Sequence, residues 1–153
     1  MRRVQGKATF RGHPVHLMLI PFPVAFWTGA LFTDVAGAFS HDGFYFRMSV
    51  VLVMMGTIGA VLASVAGYVD YRTAPMSAKA RGVATGHMWW SLAALAVFAI
   101  AWFARAAIFA SPAGIAATVA GAVLLFVAGY LGSELANRYR IGIGEDDRAK
   151  RRR

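Results

Sequence analysis

Four long apolar stretches constrain the fold of this chain more than any other feature of its sequence. They cover residues 14–39, 46–71, 87–110 and 112–137. Each is long enough to cross a hydrocarbon core of about 30 Å, which takes a helix of about 20 residues. Each is also too long for an outer-membrane barrel strand, whose alternating segments run to about ten residues. Because the connections are short, the sequence predicts an all-α, integral membrane, up-down four-helix bundle.

The placement of basic residues predicts the orientation of this bundle. The chain has 16 Lys+Arg and 7 Asp+Glu, a formal net charge of +9, although 58% of its residues are hydrophobic. Fourteen basic residues lie in the N-terminal segment, the central loop and the C-terminal tail, which an even number of spans puts on one side. The positive-inside rule then makes both termini cytoplasmic.

The same distribution sets the domain boundaries and the partners that we expect. We predict a four-helix transmembrane domain over residues 1–140 and a mobile basic cytoplasmic tail over residues 141–153, with no internal repeat. The lipid bilayer is the first expected partner, and anionic head groups would attract the tail. Nucleic acid is not an expected partner, because a folded basic face with interleaved aromatic residues is missing.

The residue types that are absent exclude several classes of chemistry. The chain contains no cysteine, which excludes disulfides, iron–sulfur centres, cysteine-ligated zinc and covalent c-type haem attachment. The sequence also has no phosphate-cradling glycine loop, no HExxH motif and no convincing Ser/His/Asp set. A redox carrier is therefore favoured over a hydrolase or a transferase.

Ionisable residues within the apolar stretches are costly in a membrane, and for that reason they indicate function. They form two layers. The layer near the cytoplasmic ends of the stretches consists of His13, His16, Asp70, His87 and Glu134. The layer toward the outer ends consists of Asp34 and Arg105. Since every stretch contributes to the first layer, we interpret it as a set of candidate ligands.

Helical phase relates the two layers to each other. At 100° per residue, positions 18 apart return to the same face of a helix, and this spacing separates His16 from Asp34 and His87 from Arg105. If the first and third helices are diagonal in the bundle, the two imidazoles face each other at the inner end. Asp34 then faces Arg105 at the outer end, where we predict a structural ion pair.

Local sequence signals suggest where these histidines sit in their helices. Pro14 suits a first helical position and predicts that His16 lies in the first turn. His13 precedes that proline and is expected to be extended. The Thr-Gly pair at 85–86 is a plausible cap, which predicts that His87 also opens a helix. Small residues recur on one face of the second and fourth stretches, where they predict either close packing or room for a flat cofactor.

The chain also carries motifs of a known family. Gly12-His13-Pro14-Val15-His16, followed by Pro21-Phe22-Pro23 and Asp34, resembles the HP-x-HP…FP…D pattern of the DUF2231 family of predicted four-span bacterial membrane proteins. The later elements of the family are similar to Ala66-Gly67…Asp70, to His87, and to the run from Gly129 to Leu135 followed by Gly142-Ile143-Gly144. Leu17 departs from the pattern, since the family often has a second proline there.

The resemblance implies a four-span fold in a bacterial inner membrane and suggests electron transfer. Members joined to Rieske-type iron–sulfur domains point to redox partners, and the outline is similar to that of four-helix b-type membrane cytochromes. The likeness to b-type cytochromes is an analogy at the level of fold.

Three hypotheses about function follow. The first is a b-type haem protein with His16 and His87 as axial ligands, which exchanges electrons with a quinone or a redox protein. The second is a non-haem zinc, iron or manganese centre, which would use imidazole and carboxylate ligands from His13, His16, Asp70, His87 and Glu134. The third is a non-catalytic membrane subunit that packs in a homo-oligomer or against larger partners.

Overall fold

A computed structural model describes residues 6–142, in which a short hairpin precedes five helices. The elements are β1 (Thr9–Phe10), β2 (His13–Pro14), α1 (Val15–Leu19), α2 (Pro21–Ser40), α3 (Gly43–Thr73), α4 (Ala78–Arg105) and α5 (Pro112–Asn137). Helices α1 and α2 together make one candidate span, and α3, α4 and α5 make the other three. The predicted all-α four-helix bundle is confirmed. The basic residues at 2 and 3 and the tail from residue 143 onward lie outside the described residues.

The bounds of α4 differ from the prediction. This helix begins at Ala78 rather than at His87, because the Ser77 side chain caps it by accepting a hydrogen bond from the backbone N–H of Ala80 at 3.2 Å. His87 is therefore about two and a half turns inside the helix, and the prediction that it opens the helix is wrong. At its other end α4 stops at Arg105, short of the predicted residue 110. Hydropathy marks the part of a helix that suits lipid, whereas capping marks where it begins.

The helices pack as two antiparallel hairpins. Helix α2 packs along α3 and α4 packs along α5, while α3 with α4 and α2 with α5 complete the ring of neighbours. Helices α2 and α4 are thus diagonal and meet through long side chains across the bundle axis. The core between the hairpins contains Trp27, Val53, Phe98 and alanines at 30, 60 and 101.

Three side-chain pairs cross the bundle axis, and in each pair the partners are 71 residues apart. They are His16–His87, with ring centroids 6.4 Å apart, Trp27–Phe98, stacked at 4.1 Å, and Asp34–Arg105, an ion pair at 2.6 Å. The first span of one hairpin therefore faces the first span of the other at three successive levels.

The second helices of the two hairpins match in the same way. Glycines contact the paired side chains as follows: Gly56 lies against Trp27, Gly67 against His16, Gly121 against Phe98 and Gly132 against His87. The α5 glycine follows the α3 glycine by 65 residues both times, from 56 to 121 and from 67 to 132. The hairpins are thus related by an approximate two-fold axis along the bundle. This relation is one of structure, and the expectation of no internal repeat in the sequence stays a prediction.

Candidate functional site

The two histidines that the phase argument singled out lie close together near one end of the bundle. Both ends of the described chain meet there, since Lys7 N–H donates to Thr73 Oγ1 and Gly142 lies against Leu17; we call this the terminal end. The His16 and His87 ring planes are 76° apart and the rings do not stack.

Each imidazole is bonded through one nitrogen to the backbone of a neighbouring helix. His16 Nδ1 lies 2.7 Å from the carbonyl oxygen of Ala63 in α3, and His87 Nδ1 lies 2.8 Å from that of Ala128 in α5. A carbonyl oxygen only accepts, so Nδ1 carries the proton in both rings. In the neutral form of a ring with its proton on Nδ1, Nε2 keeps its lone pair and can ligate a metal.

A cavity of about 470 Å³ lies beside the two rings, between α3 and α4. Its walls are the Ser64–Tyr71 face of α3 and the Ala84–Leu92 face of α4, closed from behind by Leu135 and Ile141. Apart from the histidines and a few polar groups, the lining is apolar. The lining residues Val65 and Tyr68 are more than half exposed. The wall of the cavity therefore includes apolar and aromatic surface that is not covered by other parts of the described chain.

Asp70 reaches the edge of this cavity, but its carboxylate has another partner. Oδ1 accepts a hydrogen bond from the backbone N–H of Ala8 at 3.0 Å. Together with the bond from Lys7 N–H to Thr73 Oγ1 at 2.9 Å, this contact ties the segment before β1 to the end of α3. Asp70 thus anchors the N-terminal hairpin over the terminal end of the bundle.

The other two predicted ligands, His13 and Glu134, bond to residues outside the histidine pair. His13 lies in β2, is exposed, and its Nδ1 is 3.2 Å from the carbonyl oxygen of Arg11. Glu134 pairs with Arg138 one turn later in α5, at 3.0 Å. Within residues 6–142, no three His, Asp or Glu side chains are close enough to hold a metal ion. The structure therefore does not bring the five predicted metal ligands together.

The opposite end of the bundle is closed by a buried ion pair. Arg105 has no exposed surface and binds Asp34 through both terminal nitrogens, at 2.6 and 2.8 Å. The same guanidinium donates to Ser49 Oγ at 3.0 Å and to the carbonyl oxygens of Phe46 and Phe109. With its donors partnered in this way, the group is a bidentate, charge-assisted link between the hairpins.

Comparison with known proteins identifies the family. A family model described as "Predicted membrane protein (DUF2231)" matches residues 12–145. The chain belongs to the DUF2231 family. The matched region contains both helical hairpins, the histidine pair and the buried ion pair. No curated protein and no solved structure matched this DUF2231 chain.

Two features of the DUF2231 site escaped the sequence reasoning. The acceptors of the histidine N–H groups are backbone carbonyls, which side-chain identity does not reveal. The glycines that the rings contact belong to stretches that we interpreted as packing surfaces or cofactor space. One signal could have found them, since the second helix of each hairpin carries Ala-x-x-x-Gly, at 63–67 and 128–132.

Proposed function

We propose that this DUF2231 protein is a b-type haem protein of the inner membrane, with His16 and His87 as axial ligands, that transfers electrons. One observation carries the proposal. Two imidazoles on opposite sides of one metal ion, each with a nitrogen about 2 Å from it, have ring centres about 6 Å apart. The two rings are 6.4 Å apart between centroids. Each also bonds a backbone carbonyl through Nδ1, which is the usual partner arrangement of a metal-ligating histidine.

The donor set favours haem over a bare metal ion. Zinc and similar ions in proteins take four or more ligands, whereas within residues 6–142 the histidine pair has no third ligating side chain. A haem needs only axial ligands from the protein. The apolar cavity beside the rings also suits a flat, largely apolar macrocycle, and a chain without cysteine is consistent with b-type rather than covalent attachment.

The residues of this chain would hold and orient the group, and a bound haem would supply a one-electron redox couple. His16 and His87 come from different hairpins, so both hairpins must be assembled before the pair exists. The apolar lining of the cavity and the exposure of Val65 and Tyr68 support a lipid-soluble electron partner such as a quinone, while a redox protein could approach the terminal end. The basic residues at that end support its placement on the cytoplasmic side.

The test is a haem titration of the purified apoprotein in detergent, followed by its absorption spectrum. The His16→Gln and His87→Gln variants each remove one ligand, and His13→Gln is the matched control, because that exposed histidine lies near the same end. The wild type and His13→Gln should bind one haem per chain with a low-spin spectrum. Each ligand variant should bind at least about 100-fold more weakly, since outer-shell partners alone are worth about 10- to 100-fold.

Two results would contradict the proposal. One is a wild-type protein that binds no haem. The other is a pair of ligand variants whose affinity and spectrum match those of His13→Gln.

A further inference from the structure

The ring of His16 is seated on a glycine. It lies over Gly67 in α3, and its Nδ1–H donates to the carbonyl oxygen of Ala63 at 2.7 Å. That carbonyl belongs to the residue four positions before the glycine, one helical turn away. A Cβ at position 67 would be 2.8 Å from His16 Cε1 and Nδ1, a separation that real Cβ contacts do not show.

The ring of His87 is seated in the same way in the other hairpin. It lies over Gly132 in α5 and donates to the carbonyl oxygen of Ala128 at 2.8 Å, again four positions before the glycine. A Cβ at position 132 would be 3.1 Å from His87 Cε1 and 3.4 Å from Nδ1. The contact is slightly looser than that of His16, but its geometry is equivalent.

The physical reason lies in the direction of helical side chains. A side chain in a helix covers the turn before its own Cα, so a residue at position i shields the carbonyl of residue i−4. That carbonyl has a second lone pair, which remains unused by the helical hydrogen bond. Glycine at position i leaves this lone pair open to a donor from another helix, and here the donor is the imidazole.

We propose that Gly67 and Gly132 are positioning residues for the two haem ligands. Each glycine opens one carbonyl, and the carbonyl fixes the imidazole with its proton on Nδ1 and with Nε2 free for iron. The approximate two-fold axis relates the two arrangements, so both histidines would be held toward a haem in the same way. The assignment rests on the proposed function, but the seating of the rings can be tested without haem.

The test uses the full-length Gly67→Ala and Gly132→Ala variants with two measurements. The first is the nitrogen NMR spectrum of the histidine side chains in the apoprotein, which reports the tautomer. The second is haem affinity by titration. We expect each variant to lose the hydrogen-bonded Nδ1–H signal of its own histidine and to bind haem about 10- to 100-fold more weakly. Gly67→Ala should have the larger effect, because its contact is closer.

Two controls separate ring seating from general packing. Gly129→Ala lies in the same helix as Gly132, and its Cβ would meet nothing within 4 Å, so both readouts should match the wild type. Gly56→Ala would press on Trp27 rather than on a histidine, so it should lower stability and leave the histidine nitrogen signals unchanged.

The outcomes distinguish the two proposals. If both glycine variants keep the Nδ1–H signals and bind haem within about twofold of Gly129→Ala, the positioning role is overturned. If the wild type binds no haem, the proposed function is overturned. A change of tautomer in the two apoprotein variants would then still establish that the glycines seat the rings.

Discussion

Replacing Asp34 by Asn should lower the free energy of unfolding more than a substitution of an exposed residue does. The substitution keeps the shape of the side chain and removes its charge. Arg105 is then left fully buried with its bonds to Ser49 and to the Phe46 and Phe109 carbonyl oxygens, but without an anion. A buried charge without a counter-charge is the costly half of a broken pair.

The expected size follows from the burial and the geometry of the pair. Removing one partner of a buried pair costs about 3–5 kcal/mol. Because the Asn carbonyl can still accept one guanidinium bond, we expect the lower end, about 3 kcal/mol, or roughly a 100-fold change in the unfolding equilibrium. The double variant Asp34→Leu/Arg105→Met removes both charges, and it should be more stable than Asp34→Asn alone.

The assay is equilibrium unfolding in detergent micelles, followed by circular dichroism. The matched control is Arg47→Gln, because Arg47 is exposed and contacts the Phe109 ring at a distance of 5.9 Å. It should change the free energy of unfolding by less than about 0.5 kcal/mol. If Asp34→Asn proves no more destabilising than Arg47→Gln, the buried pair does not hold the hairpins together.

Two further predictions concern the N-terminal hairpin and the orientation of the chain. Asp70→Ala removes the acceptor of the Ala8 N–H and should speed tryptic cleavage after Lys7 about tenfold. Asp70→Asn keeps an acceptor oxygen and should be cleaved at the wild-type rate. Equal rates in the wild type and both variants would show that Asp70 does not hold the N-terminal hairpin. Since the chain has no cysteine, single cysteines report its topology in intact cells. Cysteine in place of His41 should react with a membrane-impermeant maleimide from outside, and cysteine in place of Lys79 only after lysis; the opposite pattern would reverse the predicted orientation.

The sequence predicts the fold well because the membrane limits the choices. Apolar length alone gives four spans, and the bounds of the last agree with α5, which starts at Pro112 and ends at Asn137. Apolar length places the start of α4 too late, because Ser77 and the polar first turn extend that helix beyond its apolar part. The two-fold relation was also hidden, since Trp27 corresponds to Phe98 and Asp34 to Arg105.

The site could be predicted only in part. A spacing of 18 residues predicts that two side chains lie on the same face of a helix. The structure agrees, since it pairs His16 with His87 and Asp34 with Arg105 across the bundle axis. The position of a residue along its helix, however, does not show which partner its side chain binds. His13 and Glu134 lie near the same end as the histidine pair but bond to Arg11 and Arg138. The Asp70 carboxylate accepts a hydrogen bond from the backbone N–H of Ala8.

We propose that His16 and His87 hold one haem, and the test is a reduced-minus-oxidised absorption spectrum of the pure protein in detergent. We expect a Soret band and a sharp α-band of low-spin haem, at one haem per chain, and their loss in His87→Gln. A protein that shows no Soret band, even after cells and purified material are supplied with haem, would refute the haem assignment.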